Sequence, residues 1–346
     1  MRHGLKTYTG LTTKHVLSGV QGLNEEVSFV SNYIDEFLYT DQETDTVAEV
    51  LNSVRSSRGK MVRPQLLLLA SRFGPDYTDR RQHLCKLGAF VEIVHMASLI
   101  HDDIIDDSPL RRSRPTVQQQ YGKDMAVFTG DFLISRVLRH LAEEGMTQEA
   151  VSIGQTIEEM CRGELMQKSC RWDTQTSIDA YLRNIYSKSV ALIMVSAQLG
   201  AVGSNSSEQT ITCLTEIGEH LGYMYQVRDD LLDFVSDQRQ EGKPVYRDFA
   251  DGIYTLPVLY ALKQPQSAAR LKEIAAADIN SPGYVELMQE MREIVRQSGG
   301  IAFGWQQIES HAAEAKRKLQ SLPEHEAGLG IDHIIDKLLG NNHKQA

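Results

Sequence analysis

The chain has 346 residues, of which 41% are hydrophobic and 24% are charged, as is ordinary for a soluble globular protein. Its formal net charge of -10 disfavours nucleic acid as the main partner, because no basic face compensates the acidic excess. The four cysteines show neither metal-ligand nor disulfide spacing, and the N-terminus lacks the continuous apolar core of a signal peptide. The longest run of leucines, from Leu66 to Leu69, is far short of a membrane span, so a cytoplasmic protein is expected.

The N-terminal part of the chain predicts a polar arm followed by helices. Residues 1–24 are the expected arm, and one large all-α domain is expected over 25–346. In the stretch SSRGKMVRPQLLLLAS, Lys60 and Arg63 lie three apart on one side, and Pro64 is tolerated in the first turn of a helix. Two cations beside a helix N-terminus form an anion site. The alternative is a basic loop in solvent.

Four aspartates crowd into six positions at the end of a helix predicted over 81–107: Asp102, Asp103, Asp106 and Asp107. Residues four apart share a helix face, so these carboxylates should lie in pairs. Like charges repel and Asp is a poor helix former, so helix stability does not explain the cluster. Paired carboxylates suit Mg2+, which one or two carboxylates usually hold while substrate phosphates fill other positions. The alternative is a solvated acidic helix end.

The same helix carries three further candidates. His95 follows one stripe with Asp102, so a functional role and a satisfied core histidine are equally good interpretations. Ala97 and Ser98 lie about one turn before the first two aspartates. Because their side chains are small, they would leave open a cavity beneath bound metals.

Downstream, a Gln-rich turn after Pro115 is expected to lead into three helices. Their predicted ranges are 123–144, 147–168 with Glu164 and Gln167 near its end, and 177–199 with Tyr181, Lys188 and Ser189. A helix over about 209–234 then carries QVRDDLLD, in which Asp229, Asp230 and Asp233 repeat the spacing of the first cluster. Two such clusters facing each other across a helical bundle would clamp a diphosphate through bridging metals.

The stretch EGKPVYRDFADGIYTLP breaks regular structure and places Lys243 and Asp248 where a flap would reach the site. Beyond Val258 about four more helices are expected, separated near 280–283, 299–300 and 323–330. We find no internal repeat.

These motifs resemble, in order, those of the trans-type polyprenyl diphosphate synthases over about 57–262. GKMVRP is similar to the family's GKxxRP, HDDIIDDSPLRR to its first aspartate-rich motif, GDFLISR to its GD motif and YQVRDDLLD to its second aspartate-rich motif. Within the family, CRGE and MASLIHDD most resemble the catalytic large subunit of two-component heptaprenyl diphosphate synthases. The resemblance implies a single large helical bundle of the isoprenoid synthase type, with the active site in the bundle core.

The resemblance also implies Mg2+ as the cofactor and a role for each matched residue. The implied Mg2+ ligands on the allylic diphosphate are Asp102, Asp103, Asp106, Asp229, Asp230 and Asp233. The implied contacts to that diphosphate are Arg111 and Lys188 with its neighbour Ser189, supported by Gln226 and Lys243. The implied holders of the isopentenyl diphosphate are Lys60, Arg63, His95 and Arg112.

The implied reaction condenses isopentenyl diphosphate with an allylic diphosphate, expected to be farnesyl diphosphate, to an all-trans polyprenyl diphosphate. Ala97 and Ser98 resemble the positions that hold aromatic residues in short-chain members, and because both are small here, a long product is expected. The resemblance implies a hexa- to octaprenyl chain for quinone side chains, such as that of menaquinone. A geranylgeranyl or farnesyl diphosphate synthase stays open as an alternative. A class I terpene cyclase is less favoured, because it needs no second diphosphate site. The implied assembly is a homodimer or a heterodimer with a small regulatory subunit, with room for a peripheral membrane contact during product release.

Several positions depart from the family pattern without removing a named metal ligand. They are Arg58, Ser113, Ser189, Arg228, Tyr246, Arg247 and Ile253. At positions 58 and 113 the family usually has Gly. These departures bear on substrate preference and rate more than on the reaction class.

Overall fold

The computed structural model describes residues 20–39, 46–56, 59–235 and 246–340. Within these ranges the chain forms sixteen α-helices, one π-helical segment and one two-stranded hairpin. The helices are α1 Leu23–Leu38, α2 Thr46–Ser56, α3 Val62–Ser71, α4 Arg81–Ile105, α5 Val117–Tyr121, α6 Lys123–Glu143, α7 Thr147–Ser169, α8 Ile178–Ile185, α9 Ala191–Gly203, α10 Glu208–Val235, α11 Arg247–Ala250, α12 Leu256–Leu262, α13 Pro265–Ala275, α14 Tyr284–Gln297, α15 Gly300–Leu319 and α16 Glu326–Leu339. The strands are β1 Leu110–Arg111 and β2 Arg114–Pro115, and the π segment is Tyr186–Val190. The prediction of an all-α fold is confirmed.

The elements group into two compact units. Unit 1 takes the described residues of 1–154, 196–214 and 322–334, and unit 2 takes those of 155–195, 215–321 and 335–346. The prediction of one domain over 25–346 stays a prediction, and residues 1–19 of the expected arm lie outside the described residues.

Unit 1 is built around α4, which packs against α1, α3 and α6. Leu84, Leu87 and Ile93 of this helix are fully buried, as expected for a helix that is apolar over most of its circumference. A buried carboxylate, Glu26 of α1, adds a polar tie, because it accepts hydrogen bonds from Arg72 at 2.8 Å and from Arg81 at 2.9 Å. The helix that bears the aspartates at its C-terminal end is therefore firmly held at its N-terminal end and along its length.

Unit 2 contains the part of α10 that bears the second aspartate motif. Gly304 of α15 lets the side chain of Leu231 approach closely, since a Cβ at position 304 would lie 2.8 Å from it. Gly222 of α10 lies equally close to Val190 at the end of the π segment, where a Cβ would lie 2.7 Å from the valine side chain. Small residues thus set how α10 packs within this unit.

Several element boundaries differ from those that the sequence predicts. Helix α4 ends at Ile105 rather than Asp107, whose φ of 48° is left-handed. The Gln-rich turn is instead the short helix α5, capped by the Thr116 hydroxyl. The helix predicted over 177–199 extends further, because α9 continues to Gly203. The hairpin and the π segment were not predicted at all.

Two helical stretches are long and apolar enough to cross a membrane by length and composition, Arg81–Ile105 and Ile178–Gly203. Their most apolar windows are 72% and 67% buried within the protein. Buried core helices pass the same test, so length and apolar composition are weak evidence for a membrane span here.

Candidate active site

The first aspartate motif stands at the C-terminal end of α4. Asp102 and Asp103 lie in its last turn, and Asp106 follows directly, with its backbone N–H donating to the Asp102 carbonyl at 2.8 Å. Asp106 therefore stays one helical turn from Asp102, as predicted. Asp107 does not share a helix face with Asp103, because its backbone is left-handed and its exposed carboxylate pairs with Lys123 at 2.9 Å. Asp107 therefore does not belong to the predicted pairs of carboxylates on one helix face.

Asp103 is the buried member of this motif. Its carboxylate accepts a hydrogen bond from Arg111 Nε at 2.9 Å, and only 5% of the residue is exposed. The Asp103 carbonyl also accepts from the side-chain amide of Gln118 at 2.6 Å. Sequence reasoning missed Gln118, although it lies in the Gln-rich stretch just after the motif. The ion pair supplies the opposite charge that a buried carboxylate requires.

The hairpin carries the two arginines that follow the motif. In its register Leu110 pairs with Pro115 and Arg111 with Arg114. Arg112 and Ser113 form the two-residue turn, with φ of 52° and 62°, which is the left-handed pair that a type I′ turn requires. Ser113 therefore stands at a position whose backbone favours glycine, the residue that the family usually has there.

A pocket of about 40 Å³ opens between α4 and this hairpin in unit 1. It is lined on one side by Glu92, His95 and Asp103 of α4, and on the other by Arg111 and Arg112. The structure thus brings together His95 and Arg112, two of the four residues implied to hold isopentenyl diphosphate, next to Asp103 of the first motif. Arg111, implied to contact the allylic diphosphate, lines the same pocket.

The surroundings of His95 favour its neutral form. Burial and the neighbouring Arg63, Arg112 and Arg111 guanidinium groups hold its pKa well below the usual 6.5. A neutral imidazole donates one hydrogen bond and adds no charge. In this pocket, then, the arginines provide the positive charge and His95 provides a directional contact.

Gly59, the glycine of the GKMVRP motif, leaves room for the Arg112 guanidinium. A Cβ on Gly59 would lie 2.7 Å from one terminal nitrogen of Arg112 and 3.0 Å from the other, so the guanidinium lies against bare backbone. Lys60 is exposed, and Arg63 lies in the first turn of α3, close enough to influence the pKa of His95. Sequence reasoning did not find this role for Gly59.

The GD motif on α6 packs against the first aspartate motif. A Cβ on Gly130 would lie 2.2 Å from His101 Nε2, so only glycine leaves room for this imidazole. The same nitrogen lies 3.4 Å from the Asp131 carboxylate. The motif therefore holds the histidine that directly precedes Asp102.

The second aspartate motif lies on α10 in unit 2. Asp229 and Asp233 are exposed, whereas Asp230 is buried and has both carboxylate oxygens engaged. One oxygen accepts from the Tyr181 hydroxyl at 2.5 Å and the other from the Gln226 amide at 2.8 Å. Burial raises the pKa of Asp230 to about 8, against the effect of the Tyr181 hydrogen bond. Gln226 thus contacts this motif directly, and Tyr181 is a contact that sequence reasoning missed.

Lys188 lies in the π segment, a local irregularity that often marks functional sites. Its Nζ pairs with Glu164 at 2.8 Å and contacts the Gln167 side chain at 3.2 Å. Gly163 allows this approach, because a Cβ there would lie 2.8 Å from the Lys188 backbone nitrogen. The CRGE motif therefore positions Lys188. Ser189 is the next residue of the same segment and is half-buried.

The remaining predicted residues are placed as follows. Ala97 is fully buried, and Ser98 is half-buried with its hydroxyl donating to the His95 carbonyl at 2.9 Å. Lys243 lies outside the described residues, as does Arg58. Their implied roles stay predictions.

The donor chemistry of the two motifs fits Mg2+, because all candidate ligands are carboxylate oxygens. Across the described ranges, no group of three His, Cys, Asp or Glu side chains is already close enough to hold a metal ion. Substrate phosphates complete the coordination of Mg2+ in many sites, so one or two carboxylates per ion suffice.

Two departures from the family pattern have a structural role here. The Arg228 guanidinium donates to the carbonyl of Lys337 near the end of α16. Tyr246 is buried against the Phe234 ring, with centroids 5.8 Å apart, and its φ of 63° is again left-handed. We find no structural reason for Ile253.

Comparison with known proteins gives consistent matches. The family model "Polyprenyl synthetase" matches residues 44–292. Heptaprenyl diphosphate synthase component 2 of Bacillus subtilis is 33% identical over 90% of this chain and 87% of its own length. The protein of the same name from Geobacillus stearothermophilus is 36% identical over 78% of this chain and 82% of its own length. The heptaprenyl diphosphate synthase structure from Staphylococcus aureus matches with a TM-score of 0.83 and 30% identity, over 92% of this chain and 98% of that one.

Proposed function

The chain belongs to the polyprenyl synthetase family, and from this premise we propose that it is a Mg2+-dependent trans-polyprenyl diphosphate synthase. It would condense isopentenyl diphosphate with an allylic diphosphate, farnesyl diphosphate being the expected primer. The observation that carries the proposal is the pocket of unit 1, where Arg111, Arg112 and His95 meet beside the acidic end of α4. Cations next to a carboxylate cluster suit one diphosphate bound by side chains and another bound through metal.

The pocket would bind the diphosphate of isopentenyl diphosphate. Arg112 and Arg63 supply charge, and neutral His95 supplies an oriented hydrogen bond. Fixing the diphosphate in this way would hold the isopentenyl double bond in position for attack on the allylic carbon, which lowers the entropic part of the barrier.

The aspartates would hold Mg2+ on the allylic diphosphate. From the first motif the ligands are Asp102, Asp103 and Asp106, and from the second Asp229, Asp230 and Asp233. When bound, the metal stabilises the negative charge of the departing pyrophosphate. Arg111 and Lys188 add fixed positive charge to the same leaving group. The reaction would need no protein nucleophile or general base: the allylic C–O bond breaks as pyrophosphate leaves, the isopentenyl double bond forms the new C–C bond, and the released pyrophosphate would accept the proton that is then lost.

A long product, of hexa- to octaprenyl length, is proposed from two kinds of support. Ala97 and Ser98 are small, so neither blocks a growing tail. The relatives include two proteins named heptaprenyl diphosphate synthase component 2 and a chloroplastic solanesyl diphosphate synthase of Arabidopsis thaliana that is 33% identical. We propose a cytoplasmic enzyme for quinone side chains, menaquinone among them. It would act as a homodimer or with a small second subunit.

The test is to incubate the purified chain with Mg2+, farnesyl diphosphate and isopentenyl diphosphate, and to size the products by mass spectrometry. A ladder that ends near the heptaprenyl length supports a self-sufficient long-chain synthase. Retained metal-dependent binding of farnesyl diphosphate without any product supports a catalytic subunit that needs its partner. A cyclic hydrocarbon product would refute the proposal.

Variants of the two motifs test the metal assignment. Asp102→Ala and Asp229→Ala should each abolish turnover while the circular dichroism of the helices is unchanged. Asp107→Ala is the matched control, because this exposed carboxylate pairs with Lys123 and is not among the proposed ligands. Retained activity in both motif variants would contradict the assignment.

A further inference from the structure

The Tyr181 hydroxyl makes a buried contact with the second aspartate motif. It donates to Asp230 at 2.5 Å, and the two residues are only 7% and 6% exposed. The Gln226 amide donates to the other oxygen of the same carboxylate at 2.8 Å. With a donor on each oxygen, the carboxylate plane of Asp230 has little freedom to rotate.

Two of the contacts between α10 and the stretch from α8 to the π segment show how they are aligned. At the first, Gly222 of α10 meets Val190, and a Cβ there would lie 2.9 Å from the Val190 Cα. About two helical turns further along α10, Asp230 meets Tyr181, which lies earlier in the chain than Val190. The two stretches therefore run antiparallel, and the Tyr181 hydrogen bond fixes the end of α10 that bears the motif.

We propose that Tyr181 is a positioning residue for metal binding: by holding Asp230, it sets the orientation of the turn of α10 that presents Asp229 and Asp233. Both of these aspartates are exposed on that turn, whereas Asp230, the third proposed ligand, is buried with both carboxylate oxygens held by hydrogen bonds. The inference rests on the proposed function, because it assumes that the second motif binds Mg2+. The same stretch leads within two turns to Lys188, so the hydrogen bond also ties this lysine to the motif.

The test is Tyr181→Phe, which removes only the hydroxyl. Thermal unfolding without Mg2+ first measures the stability of the variant. The unfolding temperature is then followed against Mg2+ concentration in the presence of inorganic pyrophosphate. We expect the Mg2+ concentration that gives half of the full stabilisation to rise about 10-fold, as is typical when a partner of a metal ligand is lost. The Mg2+ requirement of turnover should rise in proportion.

Tyr254→Phe is the matched control. Tyr254 is also in unit 2 and is 6% exposed, but its hydroxyl has no hydrogen-bond partner among the residues that the structure describes. Removing it should leave the Mg2+ dependence at the wild-type value. An equal shift in both variants would mean that any lost buried hydroxyl loosens the site, and it would overturn the inference.

Two further results are decisive. A folded Tyr181→Phe variant with wild-type Mg2+ dependence would overturn the inference alone and leave the proposed function intact. If the wild-type protein itself shows no Mg2+-dependent stabilisation with pyrophosphate, the metal assignment fails and the inference fails with it. Asp230→Asn provides a second route: if Tyr181 acts through Asp230, then adding Tyr181→Phe to this variant should change the Mg2+ dependence by less than about twofold.

Discussion

Substituting Gly59 by alanine should weaken isopentenyl diphosphate binding without unfolding the protein. The new Cβ would lie 2.7 Å and 3.0 Å from the two terminal nitrogens of Arg112. Ordinary contact requires about 3.5 Å or more, so the guanidinium must retreat by roughly 1 Å. The atoms that move are the far end of a flexible side chain, and the expected change in the free energy of unfolding is therefore within about 0.5 kcal/mol.

The functional effect of this displacement should be much larger. Losing one hydrogen bond to a charged group costs about 1.5–3 kcal/mol. This corresponds to a fall of roughly 10- to 150-fold in kcat/KM for isopentenyl diphosphate, since 1.4 kcal/mol is tenfold. The KM for the allylic substrate should change little, because Arg112 is implied to bind the isopentenyl diphosphate and not the allylic substrate.

Steady-state kinetics with each substrate varied in turn provide the measurement. Gly154→Ala is the control: this glycine belongs to unit 1 as well, within α7, and its Cβ would meet nothing within 4 Å. Gly59→Ala should have no further effect once Arg112 is already alanine. If the loss persists in that background, or if the KM for isopentenyl diphosphate is unchanged, the contact between Gly59 and Arg112 does not position the substrate.

Three further predictions concern stability and product length. Glu26→Gln should lower the free energy of unfolding, measured by urea denaturation, by about 3–5 kcal/mol, because its fully buried carboxylate accepts hydrogen bonds from three side chains. Glu25→Gln is the control: its side chain is 61% exposed, so the free energy of unfolding should fall by under about 1 kcal/mol. Ser113→Gly should raise the free energy of unfolding by about 0.5–1 kcal/mol, because φ is 62° at this position, and a loss of stability on thermal unfolding would contradict this. Ala97→Tyr should shorten the product but also cost about 1–3 kcal/mol, since the alanine is 0% exposed. Ser98→Tyr, at a half-buried position, is the cleaner variant, and an unchanged product in mass spectra would show that the tail does not pass this position.

The sequence predicted the parts of the site that depend on local spacing. Asp102 and Asp106 keep their helical relation because the backbone hydrogen bond between them depends only on residues four apart. The main helices could be predicted for the same reason, because apolar residues that recur every three to four positions also depend only on local spacing. The partner of Asp230 could not be predicted in this way, because Tyr181 is 49 positions away in the chain. Contacts of that range depend on how helices pack, which spacing alone does not determine.

The π segment and the hairpin were missed for two different reasons. A π turn leaves no distinct period in five residues, so 177–199 reads as one helix although Lys188 lies in the irregular part. The hairpin lacks its usual signal, because its turn residues are Arg112 and Ser113 rather than Asn-Gly or Asp-Gly.

The hairpin turn shows how the surrounding contacts maintain a strained backbone. Two successive non-glycine residues at positive φ cost about 1–2 kcal/mol each. The hairpin holds them because Arg114 donates to the Ser56 carbonyl at 2.5 Å, and the Thr116 hydroxyl donates to the Ser108 carbonyl at 2.8 Å. These contacts lie on both sides of the turn and fix its ends. Hydrogen bonds outside the turn therefore offset its strain. The turn in return places the Arg112 guanidinium against Gly59, and both residues line the pocket.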